Sequence, residues 1–145
     1  MKKILIVLTV ALCALACSND DKGPLVGADR DEHGCIASAG YTWSGLKNTC
    51  IRLWEEGKAL LPAQQTEGAV MAAYVVNAED SVEVFLPGRS SAMLLTRQYV
   101  QGAPEWVSAD GSGWKLMQDG FSGWQLYENG VLRYTSQSPI NWQFP

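Results

Sequence analysis

The stretch that decides the fold is Asp110-Gly111-Ser112-Gly113-Trp114-Lys115-Leu116-Met117-Gln118-Asp119-Gly120-Phe121-Ser122-Gly123-Trp124-Gln125-Leu126-Tyr127-Glu128-Asn129-Gly130-Val131-Leu132-Arg133-Tyr134-Thr135. Three turn dipeptides, Asp110-Gly111, Asp119-Gly120 and Asn129-Gly130, punctuate it at even spacing. Asp-Gly and Asn-Gly suit type I′ hairpins, whose two central residues both need positive φ. Between the turns lie strand-length runs, Trp114 to Gln118, Gly123 to Glu128 and Val131 to Thr135. Asp110 to Leu116 is echoed by Asp119 to Leu126; such a repeat is one strand plus one turn, too short for a solenoid.

The same rhythm extends in both directions. Ala69 to Val76 is a small, β-branched and aromatic run. Ser81-Val82-Glu83-Val84-Phe85-Leu86 alternates, with Val82, Val84 and Leu86 on one face and Ser81, Glu83 and Phe85 on the other. Pro87-Gly88 marks a turn, Ala92 to Val100 a strand or two, and Glu105 to Ser108 a short strand. Ile140, Trp142 and Phe144 alternate with polar residues as a terminal strand would. Seven or eight short strands at regular spacing predict a mainly β domain, an antiparallel meander over residues 60–145. Closure into a small barrel would remove its edges.

The amino terminus carries a different signal. Met1-Lys2-Lys3 is basic, and Ile4 to Ala16 is an apolar run of about a dozen residues, the form of a secretory leader and too short for a membrane-spanning helix. Ala14-Leu15-Ala16-Cys17 resembles the lipobox of bacterial lipoproteins. The resemblance implies that residues 1–16 are removed and Cys17 is acylated, so the membrane is met through an N-terminal lipid. Ser18-Asn19-Asp20-Asp21 resembles the acidic export tag of some surface lipoproteins, and the expected location is the outer membrane, facing the periplasm or the cell surface. Residues 17–33 are poor in aliphatics and read as a flexible tether.

Loss of the leader takes Lys2 and Lys3 from the 11 Lys and Arg, leaving nine against 15 Asp and Glu, a balance of −6. Nucleic acid is a poor partner for such a chain. Of the four cysteines, Cys13 leaves with the leader and Cys17 takes lipid; Cys35 and Cys50 remain as an even pair in an oxidising compartment, which predicts a disulfide. Residues 34–59 then form a cysteine-paired segment packed on the β domain. Within it, Leu46, Cys50, Leu53 and Trp54 follow one helical face, which favours a short helix ending near Gly57. A hairpin pairing Thr42 and Ser44 with Cys50 and Ile51 is the other arrangement.

No catalytic constellation, metal set or cofactor motif emerges. His33, the single histidine, reads as a solvated tether residue, and with two thiols it cannot complete a tetrahedral zinc shell. Asp110, Asp119 and Glu128 sit at or beside turns, where backbone hydrogen bonding explains them better than paired-carboxylate catalysis. The six tryptophans read first as core. Trp114 and Trp124 share a phase, and Gly113 and Gly123 before them leave room for a ring, so an exposed sugar-stacking platform is the alternative. Ser108, Asp110 and Arg97 complete the candidate ligand-binding residues.

Val82 to Pro87, Met93 to Arg97 and the closing Glu128-Asn129-Gly130-Val131-Leu132-Arg133-Tyr134 resemble the membrane-bound C-type lysozyme inhibitor family over residues 69–135. The resemblance implies an eight-stranded barrel on a lipid tether. The family's Ser-Ala-Ser-Gly-like inhibitory loop is not reproduced; Ser108-Ala109-Asp110-Gly111-Ser112-Gly113 is the nearest stretch. The segment from Gly34 to Trp54 is similar to a small cysteine-paired module of bacterial lipoproteins. The expected function is therefore a non-enzymatic binding module, an inhibitor of a host or competitor lysozyme-like hydrolase. A glycan-binding accessory lipoprotein and a structural envelope protein are the alternatives.

Overall fold

The computed structural model describes residues 29–64, 70–118 and 123–136. The leader, Cys17, the Asp119-Gly120 turn and the terminal run with Ile140, Trp142 and Phe144 lie outside the described residues.

Ten strands are described, β1 (Tyr41–Ser44), β2 (Thr49–Arg52), β3 (Lys58–Pro62), β4 (Ala73–Ala78), β5 (Ser81–Phe85), β6 (Met93–Val100), β7 (Ala103–Ser108), β8 (Trp114–Gln118), β9 (Trp124–Glu128) and β10 (Val131–Thr135). β1 and β2 form a separate hairpin, and β3 to β10 close in order into an antiparallel barrel. The expected meander is present, with one strand more at its start: β3 is not legible in the sequence. Its centre, Leu60, is buried while Lys58, Ala59 and Leu61 are exposed.

Alternation along the strands fills the barrel. Leu60, Val75, Val82, Val84, Leu95, Leu116 and Leu126 point inward with Trp106 and Trp114, and Leu86, Trp124 and Tyr134 pack against them. Each buried aliphatic side chain contributes about 1.5–3 kcal/mol. An eight-stranded barrel has an interior just wide enough for side chains to fill, and this one is filled. The seam between β10 and β3 is short: Tyr134 pairs with Pro62 and Thr135 with Leu61, beyond a bulge at Leu132/Tyr134. The Ala63 N–H extends it by donating to the Arg133 carbonyl at 2.8 Å.

The turns divide according to their residues. Asn129 (φ 50°) and Gly130 (φ 80°) are both left-handed, as a type I′ turn requires. Asp110-Gly111 departs from that expectation, because Gly111 alone takes positive φ there. Asp110 instead accepts a hydrogen bond from the Ser112 N–H (3.0 Å), so its carboxylate organises a longer loop. Gln101 (φ 52°) and Gly102 (φ 85°) make the tight connection between β6 and β7.

In the cysteine-paired segment the hairpin replaces the favoured longer helix. Trp43 pairs with Cys50 and Ser44 with Thr49, around a turn in which Asn48 takes φ 53°. Helix survives as one turn, α1 (Leu53–Glu56), ended by Gly57. A β-branched run, Thr49 and Ile51, with an Asn able to adopt positive φ outweighs the helical spacing of Leu46 and Cys50. Cys35 and Cys50 are disulfide-bonded, their Cα atoms 5.5 Å apart. The order begins upstream of Cys35, within residues assigned to the tether. Arg30 bridges to Ile36, and the Asp31 carboxylate accepts the N–H groups of His33 (2.9 Å) and Cys35 (2.8 Å).

The bond links residues separated by 15 positions, for which chain entropy gives about 3 kcal/mol. Cys50→Ser should lower unfolding free energy by roughly that amount in guanidinium titrations of non-reduced protein. Equal transition midpoints for variant and parent would remove the disulfide from the stabilising interactions.

Candidate functional site

Glu83 stands on the outward face of β5, where alternation predicts solvent, yet it is 7% exposed. The cause is the β1–β2 hairpin lying over it. The Ser44 hydroxyl donates to Glu83 Oε2 at 2.5 Å, and the Gly45 N–H donates to Oε1 at 2.8 Å. Ser44 is itself fully buried, and its Oγ accepts the Lys47 N–H at 3.1 Å, which fixes the turn. Val76, opposite Glu83 across the ladder, is also outward by alternation and fully buried. A second, smaller buried zone, with Cys35 and Ile51 on the hairpin side, thus lies outside the barrel wall. Gly57 completes the seat: a Cβ there would come within 2.8 Å of the Leu53 carbonyl oxygen and 3.5 Å of Tyr74.

The seating leaves a cleft of about 290 Å³ beside Glu83. One wall is the Asp31–His33 segment and the hairpin residues Thr42, Trp43 and Gly45; the other is Phe85 with the β5–β6 loop residues Ser90 and Ser91. The His33 ring stacks on Trp43, centroids 4.2 Å apart and planes within 10°. His33 is thereby held by an aromatic partner on the edge of the cleft, 3.6 Å from the Glu32 carboxylate. An adjoining hollow of about 320 Å³ shares Thr42, Phe85 and Ser90 and is more apolar, lined by Leu53, Met71, Tyr74, Leu86 and Pro87, with Arg89 at its side.

The residues singled out from sequence are dispersed. Trp114 is 6% exposed and inside the barrel, and Trp124 packs on the core with its ring 5.1 Å from that of Trp106. Register places Trp114 opposite Glu128 and Trp124 opposite Gln118, at opposite ends of the β8–β9 ladder. The two share the interior face, not an exposed one, so they form no stacking platform. Gly113 is needed for another reason: it takes φ +76°, and a Cβ there would lie 2.0 Å from Asn129 Oδ1. Arg97 pairs with Asp80 in the β4–β5 turn and lies 5.7 Å from the centroid of Tyr99. Ser108 and Asp110 do come together. The Ser112 hydroxyl donates to Ser108 Oγ (3.0 Å), Asp110 accepts the Ser112 N–H, and the Asn129 N–H ties the neighbouring turn to the Gly113 carbonyl (2.9 Å). This makes a self-bonded polar loop at one end of the barrel.

Glu83, Ser44, His33 and Trp43 escaped the sequence reading as a group. Ser44 and Glu83 are 39 residues apart, and nothing local marks their meeting. The available signal was weak: an acidic residue in the middle of an otherwise apolar, β-branched strand. Among the described residues no group of three or more His, Cys, Asp or Glu is arranged to hold a metal ion.

Removing the carboxylate strands the buried Ser44 hydroxyl, at about 1–3 kcal/mol, and takes the acceptor from the Gly45 N–H. Glu83→Ala should therefore lower stability by roughly 1–3 kcal/mol in denaturant titrations and speed amide exchange at Gly45. Unchanged exchange at Gly45 would dissociate the hairpin from Glu83. For the polar loop, the Ser112 hydroxyl and N–H, with Ser108 behind them, hold the Asp110 carboxyl below its ordinary range. The folded-state value is the lower one, so the loop contact is present above the ordinary carboxylate range and is lost as pH falls through the depressed value. Ser112→Ala should move the Asp110 titration upward in a carboxyl ¹³C NMR experiment; an unmoved midpoint would separate Asp110 from Ser112.

No protein-family model, no curated protein and no solved structure matches this chain.

Proposed function

We propose that this chain is an acidic, lipid-anchored binding module of the bacterial cell envelope, non-catalytic, whose partner is a protein met on the outside of the barrel. A host or competitor lysozyme-like hydrolase is the partner class to which the sequence resemblance leads. One observation carries the reading. The barrel interior is occupied by its own side chains, whereas the concave polar and aromatic surface lies outside, between the disulfide-bonded hairpin and β5. Small β scaffolds of this kind bind by rigid surface features built on a solid core. Two such features are available, the cleft beside Glu83 and the loop from Ser108 to Gly113, whose internal hydrogen bonds reduce the ordering cost of association. The acidic balance of the mature chain favours a basic partner and a fast, salt-sensitive encounter.

The intact chain in detergent micelles, titrated with lysozymes of each class and with chito-oligosaccharides, tests this. A lysozyme that binds and loses its activity at micromolar protein supports the inhibitor reading. Absence of inhibition across all classes overturns it. A saccharide that shifts tryptophan emission without any lysozyme binding replaces it with the glycan-binding alternative, at Trp43 rather than at Trp114 or Trp124.

A further inference from the structure

The indole platform that the barrel interior excludes has a counterpart on the disulfide-bonded segment. Among the described tryptophans, Trp54 alone is exposed, at 59%. Its ring is nevertheless held. The benzo end rests on Gly40, where a Cβ would lie 1.9 Å from Trp54 Cη2 and 2.8 and 3.0 Å from the ring carbons on either side. Gly40 takes φ +79°, and its N–H donates to the Ala37 carbonyl at 2.8 Å, which fixes the backbone under the ring. An indole pinned at one end and open elsewhere is a preformed apolar plane, and little ordering cost is left for a ligand that stacks on it. Polar groups gather around the same peptide, Ala39–Gly40. Arg52 Nε donates to the Ala39 carbonyl at 3.3 Å, and Arg52 Nη1 donates to Glu55 Oε1 at 3.1 Å. The guanidinium is steadied by the Tyr41 ring, 4.5 Å from its centroid. It carries five N–H donors, and these bonds use two of them. Glu55 Oε2 accepts no hydrogen bond among the described residues. Spare donors and a spare acceptor thus stand at the rim of the ring, on side chains 34% and 54% exposed.

We propose that Trp54, with the Arg52–Glu55 pair, is a stacking site for one neutral pyranose ring of a glycan. A pyranose has a face of C–H groups and a rim of hydroxyls that both donate and accept. The face lies on the indole, and two neighbouring hydroxyls meet the guanidinium and the carboxylate, whose fork geometry suits paired oxygens. The pair is neutral overall, which fits an uncharged sugar. An apolar partner or a lipid surface pressed onto the ring would instead strip water from the ion pair without replacing its hydrogen bonds. None of Tyr41, Arg52, Trp54 and Glu55 lines the cleft beside Glu83, so this inference goes beyond the protein-partner reading and does not depend on it.

The test is a ¹H–¹⁵N NMR titration of the intact chain in zwitterionic lipid nanodiscs, following the Trp54 indole N–H and the amides of Gly40 and Glu55. The probes are chitotriose, cellotriose and maltotriose. The controls are sorbitol, which has hydroxyls but no ring face, and Nα-acetyl-phenylalanine amide, which has a ring face but no hydroxyls. Saturable shifts from at least one trisaccharide, and from neither control, are expected. Trp54 is exposed, so Trp54→Ala keeps the fold, as unchanged core resonances will show. It should weaken binding about tenfold. Arg52→Lys keeps the charge and loses the fork, and should weaken binding about threefold. No shift with any trisaccharide, equal shifts with either control, or indifference to both variants overturns the proposal. So does binding that survives Trp54→Ala and is lost in Trp43→Phe, which places the sugar in the cleft beside Glu83. Broadening of the Trp54 indole by doxyl-labelled lipid, with no saccharide shift, overturns it in favour of membrane contact. If a lysozyme binds while the trisaccharides leave Trp54 unmoved, this inference fails and the protein-partner reading stands. If the trisaccharides bind at Trp54 and no lysozyme binds, the lysozyme assignment fails alone.

Discussion

Covering a carboxyl group costs several kcal/mol unless donors replace the water it loses. Glu83 imposes that constraint on the outer wall of the barrel. With Val82 and Val84 committed to the core on either side, its side chain has no choice but to point outward. It can be covered only by an element that brings donors with it, and the β1–β2 turn brings two, the Ser44 hydroxyl and the Gly45 N–H. The position of the hairpin, the burial of Val76 and the existence of a cleft at that edge follow from this one requirement. Apolar contact alone would allow the hairpin to slide; a carboxylate with two directed bonds does not.

The barrel itself contributes by being full. Eight strands enclose a space that aliphatic side chains and three tryptophans occupy, with Trp106 and Trp124 in ring contact. The large indoles that looked available for stacking are what a small barrel uses to fill its width. Concave surface is thereby confined to the outside, to places where segments beyond the barrel strands or the longer turns create it.

The sequence made the barrel legible and the site illegible, for separable reasons. Strands β8, β9 and β10 announce themselves because Asn129-Gly130 demands positive φ at both residues and the flanking runs have strand length. Period-two alternation in β5 correctly divides Val82 and Val84 from Glu83. β3 is hidden because Leu60 is its one fully buried residue, which gives no period to detect. The hairpin at residues 41–52 competes with a helical spacing that is real but loses to β-branched residues and a left-handed Asn48. Composition marked residues 29–33 as tether, yet Asp31 holds two N–H groups and His33 lies on Trp43. These are contacts of specific atoms, which composition does not record. Glu83 is the extreme case: alternation reports its direction but not what arrives to cover it from 39 residues away.

The two links that build the cleft differ in kind, and that difference limits where the cleft can exist. The Ser44–Glu83 contact fixes the hairpin against β5, and the Cys35–Cys50 bond fixes the Asp31–His33 segment against the hairpin. The first is noncovalent and forms wherever the chain folds. The second needs an oxidant. Without it, Asp31 and His33 would be held to the hairpin chiefly by the stacking of one ring and a few exposed hydrogen bonds, each worth about 1 kcal/mol or less. The wall facing Phe85 and Ser90 would then lose its fixed distance from them. The disulfide thus couples completion of the cleft to oxidising conditions: the floor is set by folding, the wall by oxidation.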